Sequence, residues 1–446
     1  VIGQTLFAVN IDTQTKVWSL QTLGQLQAYL PVPATMIDNR NLLFVGDGTP
    51  FGYNVTLGSS TPTQEFAAFN DEAFSGTIKF DYLDTFVLWI VIGTNQFRSS
   101  LSNSGPPFDP TYIAAKTSYP DNLQTLIVNN TEMLLLGKKK SEIWYDAGNP
   151  LFPFAKLPGS YIEHGCVAPF SAASTDISVF WLGQDLQGQG VVFRRRGYET
   201  TRISNHAIEF QLRQIYNQGG SISDAIGFTF QFDGHSFYFL TFPSGDQTWV
   251  FDDSIQDPLL AWHQEAWTDP ATGLMHRHRA NCFAYVGFQT GCLPGLESGQ
   301  LVMGDWENGT IYAVDPDVYT DTLAPAASAG PISFVRTFPH LMIGLDPTGK
   351  PVSGEGHMIR HKKFQCDLEV GMAQTNTKIS LRWSDTRGRS WGNALLQSSG
   401  ELGEYTTRPF WQNLGQAMDR VYEVEYSIPA PAALVGGWVD GEVLTK

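Results

Sequence analysis

The sequence predicts an all-β protein. It places a six-bladed β-propeller in residues 1–321, a linker in 322–331 and a C-terminal β-sandwich in 332–446, with one short helix inserted. Three observations predict this. Aromatic residues make up 13% of the 446 positions and are accompanied by 43 glycines and 25 prolines; aromatics suit pleated surfaces, while glycine and proline supply turns. Short apolar runs followed by polar turns recur down the first three quarters of the chain. The last stretch, beyond a small-residue segment, alternates apolar and polar like the strands of a compact sandwich.

The opening VIGQTLFAVN already reads as a strand, and its start at Val1 looks like a truncated or processed end. Six apolar runs follow, at 42–45, 86–92, 133–136, 179–182, 236–242 and 301–303. Several have a partner strand about ten residues on, marked by Phe97, Trp144, Val192, Trp249 or Tyr312. Their starts lie roughly 40–65 residues apart, the range of propeller blades with variable loops. TEMLLLGKKKSEIWYDAG shows the rule: an apolar strand, a turn of Gly137 and three lysines, then a second strand. Two stacked sandwiches fit the same alternation, but the spacing favours the propeller. Residues 1–19 are left over and are expected to close the ring against the last blade.

One helix stands out. Ser204 or Asn205 caps it, Ile208, Leu212 and Ile215 form an i, i+4, i+7 stripe, and Gly219-Gly220 ends it. A lone helix in a β chain is expected to plug a sheet edge. TLAPAASAGP, residues 322–331, reads as the linker. KKFQCDLEV, TKISLRW, RVYEVEYSI and LVGGWVDGEV supply the sandwich strands.

Charged residues make up 16% of the chain, against about a quarter in ordinary soluble domains. That favours an outer surface covered by neighbours over a monomer with a neutral polar surface. The net charge is −16, from 28 basic and 44 acidic residues. General attraction to nucleic acid needs a lysine or arginine footprint, so an acidic wall would let DNA slide past without holding it. No apolar run is long enough for a membrane span, and the opening residues are not expected to be a signal peptide. Cys166, Cys282, Cys292 and Cys366 are too few for a disulfide scaffold. Cys282 and Cys292 would close a small loop if oxidised, but buried free thiols are expected.

No catalytic, cofactor-binding or metal site is predicted. No GxSxG elbow, P-loop, HExxH or GxGxxG appears in a strand-helix setting. Ser384, Asp385, Gly388 and Trp391 resemble the Asp box of sialidases, but Asp385 follows Ser384 directly, so a turn is expected. His276 and His278 alternate on a strand, and His361 is a conceivable third ligand; an ordinary polar strand is favoured. Asp252-Asp253 and Asp315/Asp317 serve a glycosidase only if folding brings them across a cleft. The sequons at Asn54, Asn129 and Asn308 mean nothing without a secretory context. The concentrated positive runs are Lys138, Lys139, Lys140 and Arg194, Arg195, Arg196. The usual reading of such a run is a solvated rim; for Arg194–Arg196 assembly contact and solvated rim stand level, with direct contact to DNA in a channel behind both.

Several passages, in order, resemble the packaged-DNA stabilisation proteins of short-tailed bacteriophages. FDYLDTFVLWIVIGTNQFRSSLSN resembles that family's aromatic strand pair, and EIWYDAGNPLFPFAKLPGSYIEHGCVAPFSAA its passage between blades. ISNHAIEFQL is similar to its short helix, and FQCDLEVGMAQ through RWSDTRGRSWG to RPFWQNLGQAMDRVYEVEYS to its closing sandwich. The resemblance implies a tail hub or nozzle in the virion tail. It implies a homo-oligomer, a hexameric ring below the portal and the adaptor (head-completion) protein. It also implies a tail needle or plug and tailspikes or fibres as neighbours, with DNA passing through and not read by sequence. It supplies no catalytic residue and no cofactor. Family members carry a lead before the first blade, and this chain begins where that lead would end. The alternatives are a tail-borne glycan hydrolase and a receptor-binding propeller.

Overall fold

The computed structural model describes residues 1, 4–11, 18–27, 33–57, 66–232, 234–258, 260–269, 272–286, 300–315, 317–321, 330–341, 343–345, 351–353, 357–374 and 376–444. The chain divides into two compact units, Val1–Val314 and Asp315–Lys446.

The first unit is a β-propeller built of antiparallel meanders. Blade 1 comprises Thr35–Asp38, Leu42–Gly46, Gly52–Thr56 and Phe66–Phe69. Blade 2 comprises Phe80–Leu83, Phe86–Ile90, Gln96–Ser99 and Ile113–Ala115. Blade 3 comprises Leu123–Asn129, Glu132–Gly137, Ser141–Asp146 and Phe154–Ile162. Blade 4 comprises Ala173–Ser174, Ser178–Gln184, Gly190–Arg196 and Glu199–Arg202. Blade 5 comprises Ile226–Phe232, His235–Phe242, Gln247–Asp252, Trp262–Thr268 and Met275–Arg277. Blade 6 has three strands among the described residues, Ala280–Val286, Gln300–Asp305 and Ile311–Ala313.

First strands of successive blades lie side by side and are stitched by polar side chains. The Phe80 N–H donates to Thr35 Oγ1 at 2.9 Å and the Val128 N–H to the Asp81 carboxylate at 2.8 Å. Asn129 Nδ2 donates to the Thr175 carbonyl at 2.8 Å, and Thr229 Oγ1 to the Ser174 carbonyl at 2.5 Å.

The six apolar runs of the sequence are the second strands of the six blades. They run continuously because both faces of such a strand are buried. Met133 and Leu135 pack towards blade 2, while Leu134 and Leu136 pack towards blade 4. Val179 and Trp181 likewise face blade 3, and Phe180 and Leu182 face blade 5. The front of the chain forms two strands where the sequence showed one. Thr5–Ile11 pairs with Trp18–Gln25 in a hairpin of its own, and Leu6 and Leu26 join the core of blade 1 with Val45, Tyr53 and Val55. Burying both ends of that hairpin on blade 1 gives it an apolar seat that pairing at a sheet edge would not.

The helix is His206–Asn217, capped by Asn205, whose side chain accepts from the Ile208 N–H. Ile208, Leu212 and Ile215 pack among Leu182, Val192, Leu240 and Phe242, core residues of blades 4 and 5. The buried Glu209 accepts from Arg202 Nε at 2.7 Å and Ser204 Oγ at 2.8 Å, tying the helix to the last strand of blade 4.

The second unit is a β-sandwich. One sheet orders Phe334–Thr337, Val421–Tyr426, Lys378–Ser384 and Leu395–Ser398; the other orders Pro351–Ser353, Ile343–Leu345, Ala433–Leu444, Met358–Glu369 and Phe410–Gln412. Alternate residues of each meet in one core, including Phe364, Cys366, Ile379, Leu381, Trp411, Tyr422 and Val424. Thr320–Asp321 pairs with Gly330–Pro331, so the expected linker at 322–331 starts and returns at the same place; its residues 322–329 lie outside the described ones. Gly437 faces the core opposite Cys366. A Cβ there would lie 3.0 Å from the Phe338 ring and 3.1 Å from that of Phe364. Gly437→Ala is therefore expected to cost about 1–3 kcal/mol by overpacking, read as a lower urea midpoint for the sandwich.

Candidate functional site

The Arg194–Arg196 run ends the third strand of blade 4, and strand alternation sends consecutive arginines to opposite faces. Arg194 and Arg196 reach Asp253, at the end of the third strand of blade 5, at 2.8 and 2.9 Å. Arg195 points the other way and pairs with Glu132 of blade 3. Asp253 is almost fully buried; its carboxylate also accepts from Ser178 Oγ at 2.8 Å, and its N–H donates to the Ser236 carbonyl at 2.8 Å. Glu132 also accepts from the Tyr198 hydroxyl at 2.8 Å, and the Arg195 guanidinium lies 5.6 Å from that ring. The triplet is thus a clamp that holds blade 4 to both of its neighbours.

The Lys138–Lys140 run is the turn between the second and third strands of blade 3. The Lys140 N–H donates to the Asp121 carboxylate at 3.2 Å, the same carboxylate that pairs with the fully buried Lys116. The Lys140 ammonium lies 3.7 Å from Glu163 and 5.2 Å from the Tyr161 ring; the Tyr161 hydroxyl, then Glu163, raises its pKa. Lys138 and Lys139 are exposed. Second-to-third turns leave a meander at the opposite end from third-to-fourth turns. The two basic runs therefore sit at opposite ends of their sheets and do not combine into one phosphate-binding surface.

Acidic charge has a structural use as well. Asp47, Asp185 and Asp305 each accept backbone N–H groups two residues on, at 3.0, 2.9 and 2.6 Å, in second-to-third turns. Asp38, Asp146 and Asp252 do the same at 3.0, 2.8 and 2.9 Å at the other end. Turn chemistry thus places aspartates at both ends of the blades.

MHRHR has a different use from metal binding. His276 Nδ1 is 2.7 Å from Asp246, and His361 lies in the sandwich unit. Arg277 lies 4.0 Å from the Trp306 ring, and Arg279 lies 4.5 Å from Trp267 and 5.8 Å from Trp306. This stack joins blades 5 and 6 by cation–π contact. Trp306 lies 27 residues beyond Arg279 in the sequence, so the polar strand gave no signal of the stack that folding builds on it. No group of three or more His, Cys, Asp or Glu could hold a metal among the described residues. Cys282 is exposed, against the expectation of burial, and Cys292 lies outside the described residues.

The carboxylate pairs are occupied. Asp252 holds His235 at 2.7 Å, Asp253 holds the arginines, and Asp315 accepts the Asp317 N–H at 2.9 Å. In the Ser384–Trp391 segment, Ser384 Oγ accepts from the N–H groups of Thr386 and Gly388 at 3.2 and 2.9 Å. Asp385 instead takes Arg420 through both oxygens, at 2.6 and 2.8 Å. The segment is a turn and an ion pair, beside an open pocket lined by Asp385, Thr386, Arg387, Arg389, Ser390 and Asp419.

His361 is buried beside Arg420 and Tyr422, with no hydrogen-bond partner for either ring nitrogen among the described residues. Burial, then the Arg420 cation, lowers its pKa from 6.5 to about 4. The unfolded chain takes up that proton at higher pH than the folded one. Stability from the neutral imidazole is therefore complete above pH 6.5 and is lost as pH falls towards 4. A slope of at most about 1.4 kcal/mol per pH unit is expected in this window. Urea unfolding at pH 7 and 5 checks it, and His361→Phe should flatten the difference.

The family model described as bacteriophage P22 Gp10, beta-propeller, matches residues 1–319, and the one described as bacteriophage P22 Gp10, beta-sandwich, matches residues 349–442. The chain belongs to the P22 Gp10 family. It is accordingly a phage structural protein of the virion tail, concerned with DNA stabilisation. No curated protein matches it. Among solved structures, a Bacteroides fragilis protein provisionally assigned as a 6-phosphogluconolactonase aligns at 9% identity. That alignment covers 71% of this chain and 91% of that one, with a TM-score of 0.39. Hsv2 of Kluyveromyces marxianus aligns at 8% identity over 66% and 76%, with a TM-score of 0.32. No helix among the described residues is long and apolar enough to cross a membrane.

Proposed function

We propose that this Gp10-family chain is the tail hub, or nozzle. Six copies close into a ring below the portal and its adaptor, extend the DNA channel, and with a needle or plug retain the packaged genome. The observation that carries this reading is the pair of family matches, propeller then sandwich, in order along the chain. The role is mechanical, and the inter-blade clamps and the scarcity of charge support it. Residues 1–314 hold 29 acidic and 16 basic residues, against 15 and 12 in 315–446. Several of the propeller's basic side chains, the arginine triplet included, are taken up by its own carboxylates. A surface of that sign repels a phosphate backbone at short range and leaves DNA free to slide.

Particles assembled without the protein should package DNA and then lose it, measured as nuclease-sensitive genome over time. Normal retention would reject the role. Mass measurement of the protein with its portal–adaptor partners should give six copies per ring.

A further inference from the structure

We propose that the outer face of the larger sandwich sheet is a binding platform for a neutral glycan, spanning about two sugar rings. Three strands place Phe410, Gln365 and Trp438 in one row, Phe410 opposite Gln365 and Gln365 opposite Trp438. Their chain neighbours Trp411, Phe364, Cys366 and Val439 pack in the core, so this row stands on the other face. There the rings are open: Phe410 is 46% exposed and Trp438 53%.

The row is held in place. Lys363 Nζ lies 4.8 Å from the centre of the Phe410 ring and donates to Gln365 Oε1 at 2.6 Å, which leaves the amide nitrogen to donate outwards. The Trp438 indole rests by Gly436, where a Cβ would lie 3.7 Å from its Cη2; a longer side chain would compete for that space. Across two strand spacings the rings stand about 9–10 Å apart.

Charge and size choose the ligand. The rows on either side carry ion pairs, Arg408 with Asp367 at 3.2 Å and Lys362 with Glu442 at 3.0 Å, and Lys363 stands opposite Asp440. Balanced charge offers nothing to a phosphate or a polyanion. A stable protein interface needs about 800 Å² on each partner, with charge excluded from its centre, and an aromatic row bordered by ion pairs is too narrow for that. Flat rings beside amide and carboxylate groups suit the apolar faces and hydroxyls of a sugar.

The test titrates the full chain with cellohexaose, maltohexaose and chitohexaose by ligand-observed NMR, alongside Trp438→Ala and Phe410→Ala. Both rings lie outside the core, so both variants should keep the parent melting temperature. At least one oligosaccharide should bind the parent, about tenfold more weakly in each variant, as expected for loss of a stacking contact. No binding to the parent, or equal binding by both variants, overturns the proposal. So does native mass spectrometry showing copies that separate only in Trp438→Ala, which would make the row a contact between chains.

Discussion

Asp385→Ala is expected to lower the stability of the sandwich by about 3 kcal/mol. Arg420 is 2% exposed and its guanidinium is held by both oxygens of Asp385 and by the Leu414 carbonyl, beside the rings of Trp383 and Tyr422 at 5.1 and 5.8 Å. Deleting the carboxylate leaves a buried cation without its counter-ion, which costs about 3–5 kcal/mol when both partners are buried. Asp385 is half-exposed, so water reaches the site and the lower figure applies. Arg420→Met should cost less, because it removes the buried charge and leaves a carboxylate that water can solvate. The readout is the urea midpoint of the transition that exposes the Lys378–Ser384 amides to hydrogen exchange. Equal midpoints for Asp385→Ala and the parent would remove the buried pair from the account of this unit.

Asp253→Ala should loosen blade 4 by about 2–4 kcal/mol. It removes the acceptor of Arg194, Arg196 and the buried Ser178 hydroxyl together, and buried donors without partners carry their full desolvation cost. Exchange should accelerate in Gly190–Arg196 and Ser178–Gln184 while the sandwich strands keep their protection. Asp253→Asn, which retains an acceptor oxygen without the charge, should fall between. If the propeller acts as a rigid part of a genome-retaining tail, particles carrying Asp253→Ala should release DNA at a lower temperature than the parent. Unchanged exchange in blade 4 would mean that the clamp carries no load.

The second strands of the blades were legible because burial on both faces writes itself into composition: MLLL at 133–136 and VFWL at 179–182 are unbroken apolar runs. Some of the first and fourth strands, such as Ala173–Ser174 and Glu199–Arg202 of blade 4, are short or polar and leave no such trace. The helix was legible from its stripe and its cap, since Asn205 and Ile208 act within a single turn. The front hairpin was not, because its seat on Val45, Tyr53 and Val55 is set by tertiary packing and leaves no mark in local periodicity.

By itself the sequence determined the class, the order of propeller and sandwich, and the place of the inserted helix, all consequences of local periodicity and turn chemistry. Only the tertiary structure decided the use of the charges. Arg194, Arg195 and Arg196 looked like one patch, and alternation on a strand divides them between Asp253 and Glu132. Asp385 looked like part of a turn motif, and its partner Arg420 is 35 residues away. Ion pairs and exposed faces depend on which distant residues meet, and spacing along a chain does not carry that information.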